Sequence, residues 1–261
     1  MSDEILKSLD GGVLTVTLNR PEKYNALTFT MYDTIADICS SVPADGSVKA
    51  IVFRGAGGKA FAAGTDISLF RSFETPEQGI AYEKNADKVF TALERCPVPT
   101  IAAITGACTG GGAGIAACCD MRIATRSLKF GFPIARTLGN CLSAATLGRL
   151  VGVMGEPRVI DLIYTSRLIE ADEALRIGLV NRLASPEALV EETLRFARSI
   201  ADHAPVTVRM IKRATYQSAD VDRRTALDMI SSHFAVVAAT EDAAEALAAM
   251  KDKRPPRYVG R

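Results

Sequence analysis

Residues Pro99–Cys119 read PTIAAITGACTGGGAGIAACC and form the most apolar stretch of the chain. Thr100–Thr105 has the apolar composition of a buried strand. The segment Thr109–Gly112 then leads into a run of small residues at Ala113–Cys119, which predicts a helix. Five glycines and several threonines interrupt the stretch, and this predicts protein core instead of a membrane span.

The segments on either side repeat this alternation of strands and helices. Alternating β-branched and polar residues predict a strand at Val13–Leu18. The spacing of Met31, Ile35 and Ile38 predicts a helix that begins near Thr28. Further strands are predicted at Lys49–Phe53, Ala60–Ala63 and Met121–Ala124, and an amphipathic helix at residues 76–95. The recurring order of strand, strand and helix predicts an α/β fold with layered small sheets.

Strand patterns stop near residue 190, and the rest of the chain has helical patterns. The predicted helices are Leu189–Ala201, Val206–Ser218 and a long alanine-rich helix at Arg223–Met250, ended by Pro255-Pro256. We therefore expect two regions, an α/β core at residues 1–200 and a C-terminal helical region at residues 201–261, with the break near His203–Pro205.

Composition excludes several classes of protein. The 261 residues carry 31 Lys and Arg against 30 Asp and Glu, so no broad positive field favours nucleic acid or an anionic membrane. The six cysteines have no C-x-x-C spacing, and two histidines are too few for a zinc pattern. The N-terminus lacks the basic and apolar regions of a signal peptide. These features predict a soluble cytoplasmic protein with reduced cysteines and no bound metal.

Two glycine-containing loops are candidates for chemistry. The first is Phe61–Asp66, which reads FAAGTD, and the second is Gly106–Gly112, which reads GACTGGG at a predicted helix start. Unpaired N–H groups at a helix N-terminus suit an anion or a developing oxyanion. Tight packing of helix against sheet is the alternative explanation. Neither loop matches the P-loop or an uninterrupted G-x-G-x-x-G pattern, which argues against a nucleotide phosphate site.

Taken in order, several segments resemble the crotonase superfamily, the enoyl-CoA hydratase/isomerase family of acyl-CoA and fatty-acid metabolism. The resemblance covers nearly the whole chain. The matching segments are Leu18–Leu27 (LNRPEKYNAL), Phe61–Ile67 (FAAGTDI), Ile104–Gly112 (ITGACTGGG), Cys119–Ala124 (CDMRIA), Phe130–Pro133 (FGFP), Gly178–Asn181 (GLVN) and Lys253–Gly260 (KRPPRYVG).

The resemblance implies a spiral of ββα units followed by a helical trimerisation region, assembled as a homotrimer or as a homohexamer. It also implies that the protein acts on acyl-CoA thioesters and stabilises an enolate in a backbone oxyanion hole. The N–H groups that match are those of Ala63 and Gly111, and main-chain donors fixed where charge develops are catalytically effective.

For coenzyme A, which is here part of the substrate and not a permanently bound cofactor, the resemblance implies a small set of contact residues. The matching positions are Lys23, Tyr24, Ala26, Ala63, Gly64, Thr65, Asp66 and Lys253. Lys253 matches a lysine that reaches the coenzyme A of a neighbouring subunit. Ordinary surface charge is the alternative explanation for Lys23 and Lys253. Asp66 is expected to order its turn, and Asp120 to order the start of a strand behind the site.

The sequence departs from the hydratase pattern at two positions. Hydratases of the family carry two glutamates, and the matching positions here are Gly114 and Ile134. Because addition of water needs a positioned titratable group, ordinary hydration by the family route is not expected.

Other residues could supply the missing chemistry. The segment after Pro133 offers Arg136, Asn140 and Cys141. Cys141 could act as nucleophile or acid, although a buried inert thiol is commoner, and Arg136 could bind a carboxylate of a dicarboxylic acyl group. The predicted helix at residues 76–95 adds Tyr82 and Glu83, with Glu83 expected to be a solvated helix charge.

Three functions are compatible with these features. The first is an acyl-CoA enzyme whose chemistry is isomerisation, decarboxylation or thioester hydrolysis. The second is a non-catalytic acyl-CoA-binding protein that kept the fold and lost the acids. The third is an oligomeric scaffold in which the motifs are purely structural. The small residues at both oxyanion positions favour the enzyme.

Overall fold

A computed structural model describes residues 3–72, 74–137, 141–220, 225, 232–233 and 235–260. The strands are β1 (Ile5–Asp10), β2 (Val13–Leu18), β3 (Ala50–Gly55), β4 (Ala60–Ala62), β5 (Thr100–Ile104), β6 (Ala107–Thr109), β7 (Met121–Thr125), β8 (Lys129–Gly131), β9 (Ile169–Glu170) and β10 (Arg182–Ala184). The helices are α1 (Phe29–Ser40), α2 (Pro76–Glu94), α3 (Gly111–Cys118), α4 (Ile134–Thr137), α5 (Ala144–Met154), α6 (Glu156–Thr165), α7 (Ala171–Arg176), α8 (Leu189–Ala201), α9 (Pro205–Asp220) and α10 (Glu241–Asp252). Short 3₁₀ helices lie at Pro21–Lys23, Ala56–Gly58 and Ile67–Ser72.

The strands form two sheets. The larger sheet has the order β1-β2-β3-β5-β7-β10, and the smaller sheet has the order β4-β6-β8-β9. All neighbours are parallel except β1 with β2 and β8 with β9. Parallel strands need crossover connections, and helices supply several of them. The predicted α/β class is therefore confirmed.

Strand β5 shows how the sequence builds the core, because its side chains alternate between two clusters. Ala102 and Ile104 lie in the larger cluster. Ile101 and Ala103 lie in the smaller cluster, which is covered by α8. A parallel strand that is buried on both faces reads as a continuous apolar run, and the apolar segment after Pro99 has this pattern for that reason.

Several predicted boundaries agree with the structure to within a few residues. Helix α1 follows Thr28, whose hydroxyl accepts a hydrogen bond from the Met31 N–H at 3.2 Å and caps the helix. Helix α2 covers almost all of the predicted range 76–95 and ends shortly before Pro97 and Pro99.

The prediction of one long helix at Arg223–Met250 was wrong. A turn at Ala239 and Thr240 separates the helical residues 235–238 from α10. The Thr240 hydroxyl accepts a hydrogen bond from the Ala243 N–H at 3.1 Å and caps α10. Alanine gives high helix propensity, but a threonine followed by Glu241 and Asp242 is a helix start. Residues 223–224, 226–231 and 234 of the predicted helix lie outside the described residues.

The C-terminal helices include α9, which packs against the core. The Lys212 ammonium lies 2.8 Å from the Asp120 carboxylate and donates to the Val98 carbonyl at 3.0 Å. The boundary near residue 200 stays a prediction. Among the described helices, none is both long and apolar enough to cross a membrane.

Candidate active site

The two glycine-containing loops lie side by side in the structure. Strands β4 and β6 are parallel neighbours, and the loops leave the carboxyl ends of these two strands. The Thr109 hydroxyl ties the loops together by donating to the Ala63 carbonyl at 3.0 Å. Gly64 and Gly110 face each other so closely that a Cβ on Gly110 would lie 3.5 Å from the Gly64 Cα. The carboxyl ends of parallel strands are the usual place for a ligand in α/β proteins.

Helix α3 begins at this junction with an open N-terminus. Gly110 precedes the helix at φ 52° and ψ −124°, and no side chain caps the first turn. This backbone conformation favours glycine. In the described part of the chain, the Gly111 N–H has no hydrogen-bond partner. A free N–H at the positive end of a helix attracts a negatively charged oxygen.

The second N–H predicted for this site, that of Ala63, already forms a hydrogen bond within the protein. It donates to the Tyr24 carbonyl at 3.0 Å. The Thr65 N–H, two residues further on, forms no hydrogen bond to the described residues. Leu27 pairs with both neighbours of Thr65, through the Gly64 carbonyl at 2.8 Å and the Asp66 N–H at 2.9 Å. Since backbone groups alternate in direction along an extended segment, the Thr65 N–H points away from Leu27.

Three hydroxyl groups connect the first glycine-containing loop with helices α1 and α2. The Thr65 hydroxyl lies 2.9 Å from the Tyr32 hydroxyl and 2.7 Å from the Tyr82 hydroxyl. The Tyr82 ring packs edge-on against Phe70, with ring centroids 4.9 Å apart. Burial raises the pKa of both tyrosines, so both are protonated at neutral pH. These three residues, Tyr32, Thr65 and Tyr82, are called the hydroxyl chain below.

The first residue of α3 must be glycine because of the same hydroxyl chain. A Cβ on Gly111 would lie 1.8 Å from the Tyr32 hydroxyl oxygen. Tyr32 is fully buried, and its hydroxyl lies 2.9 Å from that of Thr65. The glycine therefore lets α3 approach Tyr32.

A pocket opens beside the two free N–H groups, and its wall is mainly apolar. Its residues are Ala63, Gly64, Thr65, Ile67, Phe70, Tyr82, Glu83, Ala86, Phe90, Thr109, Gly110, Gly111, Phe132, Pro133, Ile134, Thr137, Cys141, Leu142 and Thr146. Glu83 is the only carboxylate among these described wall residues, and it is half-buried. Glu83 thus lies on the pocket wall, whereas the sequence suggested a solvated helix charge.

Gly114 and Ile134, which the resemblance predicted to match the family glutamates, carry no carboxylate, and the structure fills the space at the first. A Cβ on Gly114 would lie 2.4 Å from the end of the Phe90 ring. Ile134, the second position, is buried in the pocket wall. At position 114, an aromatic side chain from α2 thus takes the space that a longer side chain on α3 would need.

The residues predicted to contact coenzyme A at positions 23–26 form a loop beside the first glycine-containing loop. Lys23 and Tyr24 are exposed, and Ala26 is half-buried. The buried side chain of Asn25 anchors this loop by donating to the carbonyls of Ala56, at 3.0 Å, and Ala60, at 2.9 Å. The loop is therefore fixed next to the pocket.

Asp66 orders the turn at the pocket entrance, as expected. Its carboxylate accepts hydrogen bonds from the Ser68 hydroxyl at 2.7 Å and from the Arg20 guanidinium at 2.9 Å. The Ser68 hydroxyl, followed by Arg20, lowers the pKa of Asp66 to about 2. A carboxylate with such a low pKa is a poor proton carrier near neutral pH.

The other predicted site residues are distributed differently. Cys141 lies in the pocket wall. Arg136 is exposed on α4, outside that wall, and so does not support a dicarboxylic substrate. Asn140 lies outside the described residues. Lys253 is exposed at the end of α10, outside the pocket of its own chain, and its contact with coenzyme A stays a prediction.

At the C-terminal end of α3, called the closed end below, arginine side chains donate hydrogen bonds to backbone carbonyls. The Arg122 guanidinium donates to the carbonyls of Ala116 at 3.1 Å and Cys119 at 2.6 Å. Arg149 donates to the Ala117 carbonyl at 3.0 Å. Cations suit the negative end of a helix, so these bonds satisfy the carbonyls that the helix leaves unpaired.

Asp120 completes this closed end and orders the start of β5, as expected. Its carboxylate accepts from the Thr100 N–H at 2.7 Å and from the Tyr216 hydroxyl at 2.8 Å, and it pairs with Lys212. The Tyr216 hydroxyl in turn accepts from Arg149 at 2.7 Å. Helix α9 is thereby tied to the back of the site.

Several important residues were missed from the sequence. Tyr32 looks like an ordinary apolar position of α1, and only the structure places its hydroxyl beside Thr65 and Gly111. Phe90 also follows the helical pattern of a core residue. Asn25 carries a detectable signal, because an asparagine within a turn is suited to the left-handed conformation that it adopts here at φ 55°.

Comparison with known proteins finds relatives over nearly the whole length of the chain. A family model described as enoyl-CoA hydratase/isomerase matches residues 8–261. A short-chain-enoyl-CoA hydratase from Clostridium acetobutylicum is 36% identical over 252 residues, which cover 97% of this chain and 96% of that protein. A crotonyl-CoA hydratase from Syntrophomonas wolfei is 33% identical over 261 residues, which cover 99% of each chain.

A solved structure shows the same similarity in three dimensions. The crystal structure of an enoyl-CoA hydratase from Bacillus anthracis matches with a TM-score of 0.93 and 32% identity. The match covers 99% of this chain and 100% of that chain.

Proposed function

The chain belongs to the enoyl-CoA hydratase/isomerase family of acyl-CoA-processing enzymes, and we propose that it stabilises a thioester enolate with the N–H groups of Thr65 and Gly111. The observation that carries this proposal is the position, beside an apolar pocket, of two N–H groups that have no partner among the described residues. Thr65 replaces Ala63 in this proposal because the Ala63 N–H is bonded to Tyr24.

The two donors suit an enolate for electrostatic reasons. Removal of a proton from the α-carbon of a thioester places negative charge on the thioester oxygen. Fixed N–H groups in a largely apolar site stabilise such a charge strongly, by about 3–4 kcal/mol for one well-placed donor. The aromatic and aliphatic wall around Phe90, Phe132 and Ile134 suits an apolar acyl group.

The reaction class follows from what the pocket contains. Hydration by two carboxylates is disfavoured, because Gly114 and Ile134 carry no acid and the Phe90 ring packs against Gly114. Isomerisation, decarboxylation and thioester hydrolysis need the enolate or the oxyanion hole but not two carboxylates around a water. We place the reaction among these three, with isomerisation as the simplest because a single base serves it.

A second candidate function is acyl-CoA binding without catalysis. The absence of a carboxylate at positions 114 and 134 favours it. In that case the pocket would hold the thioester and leave it unchanged.

Assembly and location are also part of the proposal. Leu247 and Met250 of α10 are large apolar side chains that are 68% and 74% exposed in the single chain. Contact between subunits in a homotrimer or homohexamer would cover them. All six cysteines are free thiols, which supports a cytoplasmic location.

The experiment is mass spectrometry of crotonyl-, 3-enoyl-, malonyl-, methylmalonyl- and benzoyl-CoA incubated with the protein in D₂O. We expect deuterium at the α-carbon together with a shifted double bond, loss of CO₂ or release of CoA. Addition of water alone would support ordinary hydration. Binding of acyl-CoA with no change in any substrate would support the non-catalytic candidate, and no binding would contradict both functions.

A further inference from the structure

Glu83 is the only carboxylate on the described pocket wall, and it lies on α2. Glu83, Ala86 and Phe90 follow the spacing of three and four residues that places side chains on one face of a helix. All three line the pocket. The face of α2 that forms this wall therefore carries one acid among apolar groups.

The hydroxyl chain brings this part of α2 to the oxyanion donors. Tyr82, the residue before Glu83, has its hydroxyl 2.7 Å from that of Thr65. Burial is the main cause of the raised pKa of Tyr82, and the negative charge of Glu83 also contributes. The same charge contributes to the raised pKa of Tyr32. The negative charge of Glu83 thus contributes to the raised pKa of both tyrosines that flank Thr65.

Packing at Gly114 explains why an acid on α2 takes the place of an acid on α3. The Phe90 ring packs against Gly114, so α3 carries no side chain at that position of the pocket. Glu83 lies seven residues before Phe90 on α2, which is about two helical turns. The helix that excludes a carboxylate at position 114 therefore supplies another one to the same pocket.

From these contacts we infer that Glu83 is the acid–base residue of the site, which removes and returns the proton at the acyl α-carbon. This inference rests on the proposed function, because it needs an enolate held by Thr65 and Gly111. Tyr82 is not the base, since its raised pKa keeps it protonated at neutral pH. Its hydroxyl instead positions Thr65.

The step balances without a further reactant. The Glu83 carboxylate accepts the α-proton as the Cα–H bond breaks. The electron pair of that bond forms the carbon–carbon double bond of the enolate, and the negative charge moves to the thioester oxygen between the two N–H groups. The carboxylic acid of Glu83 then returns the proton to the α-carbon, or to the γ-carbon when the substrate is unsaturated.

The test is the rate of deuterium uptake at the α-carbon of 3-enoyl-CoA in D₂O, measured for the wild-type protein and for Glu83→Gln. General acid–base catalysis contributes typically about 10²–10⁴-fold, so we expect the variant to lose at least about 100-fold in exchange rate. Its dissociation constant for the acyl-CoA, measured by calorimetry, should stay within about twofold. Glu77→Gln is the matched control, because Glu77 is an exposed carboxylate on the same helix and should leave exchange unchanged.

A second variant keeps the test decisive if Glu83→Gln does not fold. Glu83→Ala should lose the same activity, and added formate should restore part of it by supplying a carboxylate. Exchange at the wild-type rate in either folded variant, without formate, overturns the assignment of Glu83 and leaves the proposed function intact. No exchange and no other reaction in the wild-type protein would overturn the proposed function and this inference together.

Discussion

The two ends of helix α3 differ in how their backbone groups are satisfied. At the C-terminal end, Arg122 and Arg149 bond the carbonyls of the last turn. At the N-terminal end, Gly110 supplies no cap and the Gly111 N–H has no partner among the described residues. The hydroxyl chain lies beside the open end, and none of its described bonds uses that N–H.

We therefore expect the two ends of this eight-residue helix to have different roles, the C-terminal end in stability and the N-terminal end in catalysis. A satisfied helix end adds to the stability of the folded state, whereas an unsatisfied one costs stability and leaves a donor for a ligand. Changes at the closed end should therefore lower the free energy of unfolding, and changes at the open end should lower the catalytic rate.

The largest effect is expected at the open end, from Gly111→Ala. Its Cβ would lie 1.8 Å from the Tyr32 hydroxyl oxygen, so α3 must move and displace the N–H. Since loss of one oxyanion donor costs roughly 10²–10³ in kcat, we expect a loss of at least about 100-fold in steady-state turnover.

Two controls sharpen this prediction. Gly152→Ala on α5 places its Cβ in open space and should leave turnover unchanged. The double variant Gly111→Ala with Tyr32→Phe removes the clashing oxygen and should recover part of the rate. Full activity in Gly111→Ala would show that the N-terminus of α3 does not hold the reacting oxygen.

At the closed end, Asp120→Asn should destabilise the protein by about 3 kcal/mol. It removes one partner of a largely buried ion pair with Lys212, and breaking such a pair costs about 3–5 kcal/mol. Denaturant unfolding gives the free energy change, and kcat of the folded variant should stay within about twofold. Asp172→Asn, which breaks an exposed pair with Arg126, should cost less than about 1 kcal/mol. A loss of kcat at unchanged stability would reverse the assignment of the two ends.

A smaller effect is expected from Tyr82→Phe in the hydroxyl chain. The substitution removes the hydroxyl that lies 2.7 Å from Thr65, and one net hydrogen bond contributes about 1 kcal/mol. We expect kcat to fall about fivefold with KM nearly unchanged. Tyr164→Phe removes a hydroxyl from a side chain that is 81% exposed and serves as the control. Equal kcat in both variants would exclude a positioning role for Tyr82.

A further effect concerns the pH dependence of stability through Asp66. Its pKa is about 2 in the folded protein and near 3.9 in an unfolded chain, so the carboxylate stabilises the fold above that value. This contribution should be lost as the pH falls from about 4 through about 2, and Asp66→Asn should remove it. Denaturant unfolding at several acidic pH values measures the difference. If the free energy of unfolding of Asp66→Asn falls with acid as it does in the wild-type protein, Asp66 is not the source of this pH dependence.

Much of the fold could be predicted from the sequence because its elements carry local patterns. Strand β5 is a continuous apolar run that is buried on both faces, and helices α1, α2 and α8 follow the periodicity of buried and exposed positions. The break before α10 was missed because alanine-rich composition outweighed the cap at Thr240. Strand β9 has only two residues, which is too short for any pattern to indicate.

The candidate site was less predictable because it depends on contacts between distant segments. The motifs located both glycine-containing loops. Only the structure shows that the Ala63 N–H donates to the Tyr24 carbonyl, whereas the Thr65 N–H has no partner among the described residues. Likewise, the helical pattern of α2 does not tell that Glu83 lines a pocket. Backbone direction and the facing of helices are properties of the assembled fold.

The most direct test of the open end of α3 is the infrared spectrum of a bound acyl-CoA labelled with ¹³C at the thioester carbonyl. Two N–H donors at the carbonyl oxygen should lower its stretching frequency relative to the same compound in water, and Gly111→Ala should reduce this shift. A carbonyl frequency in the saturated wild-type complex equal to that in water would contradict the account.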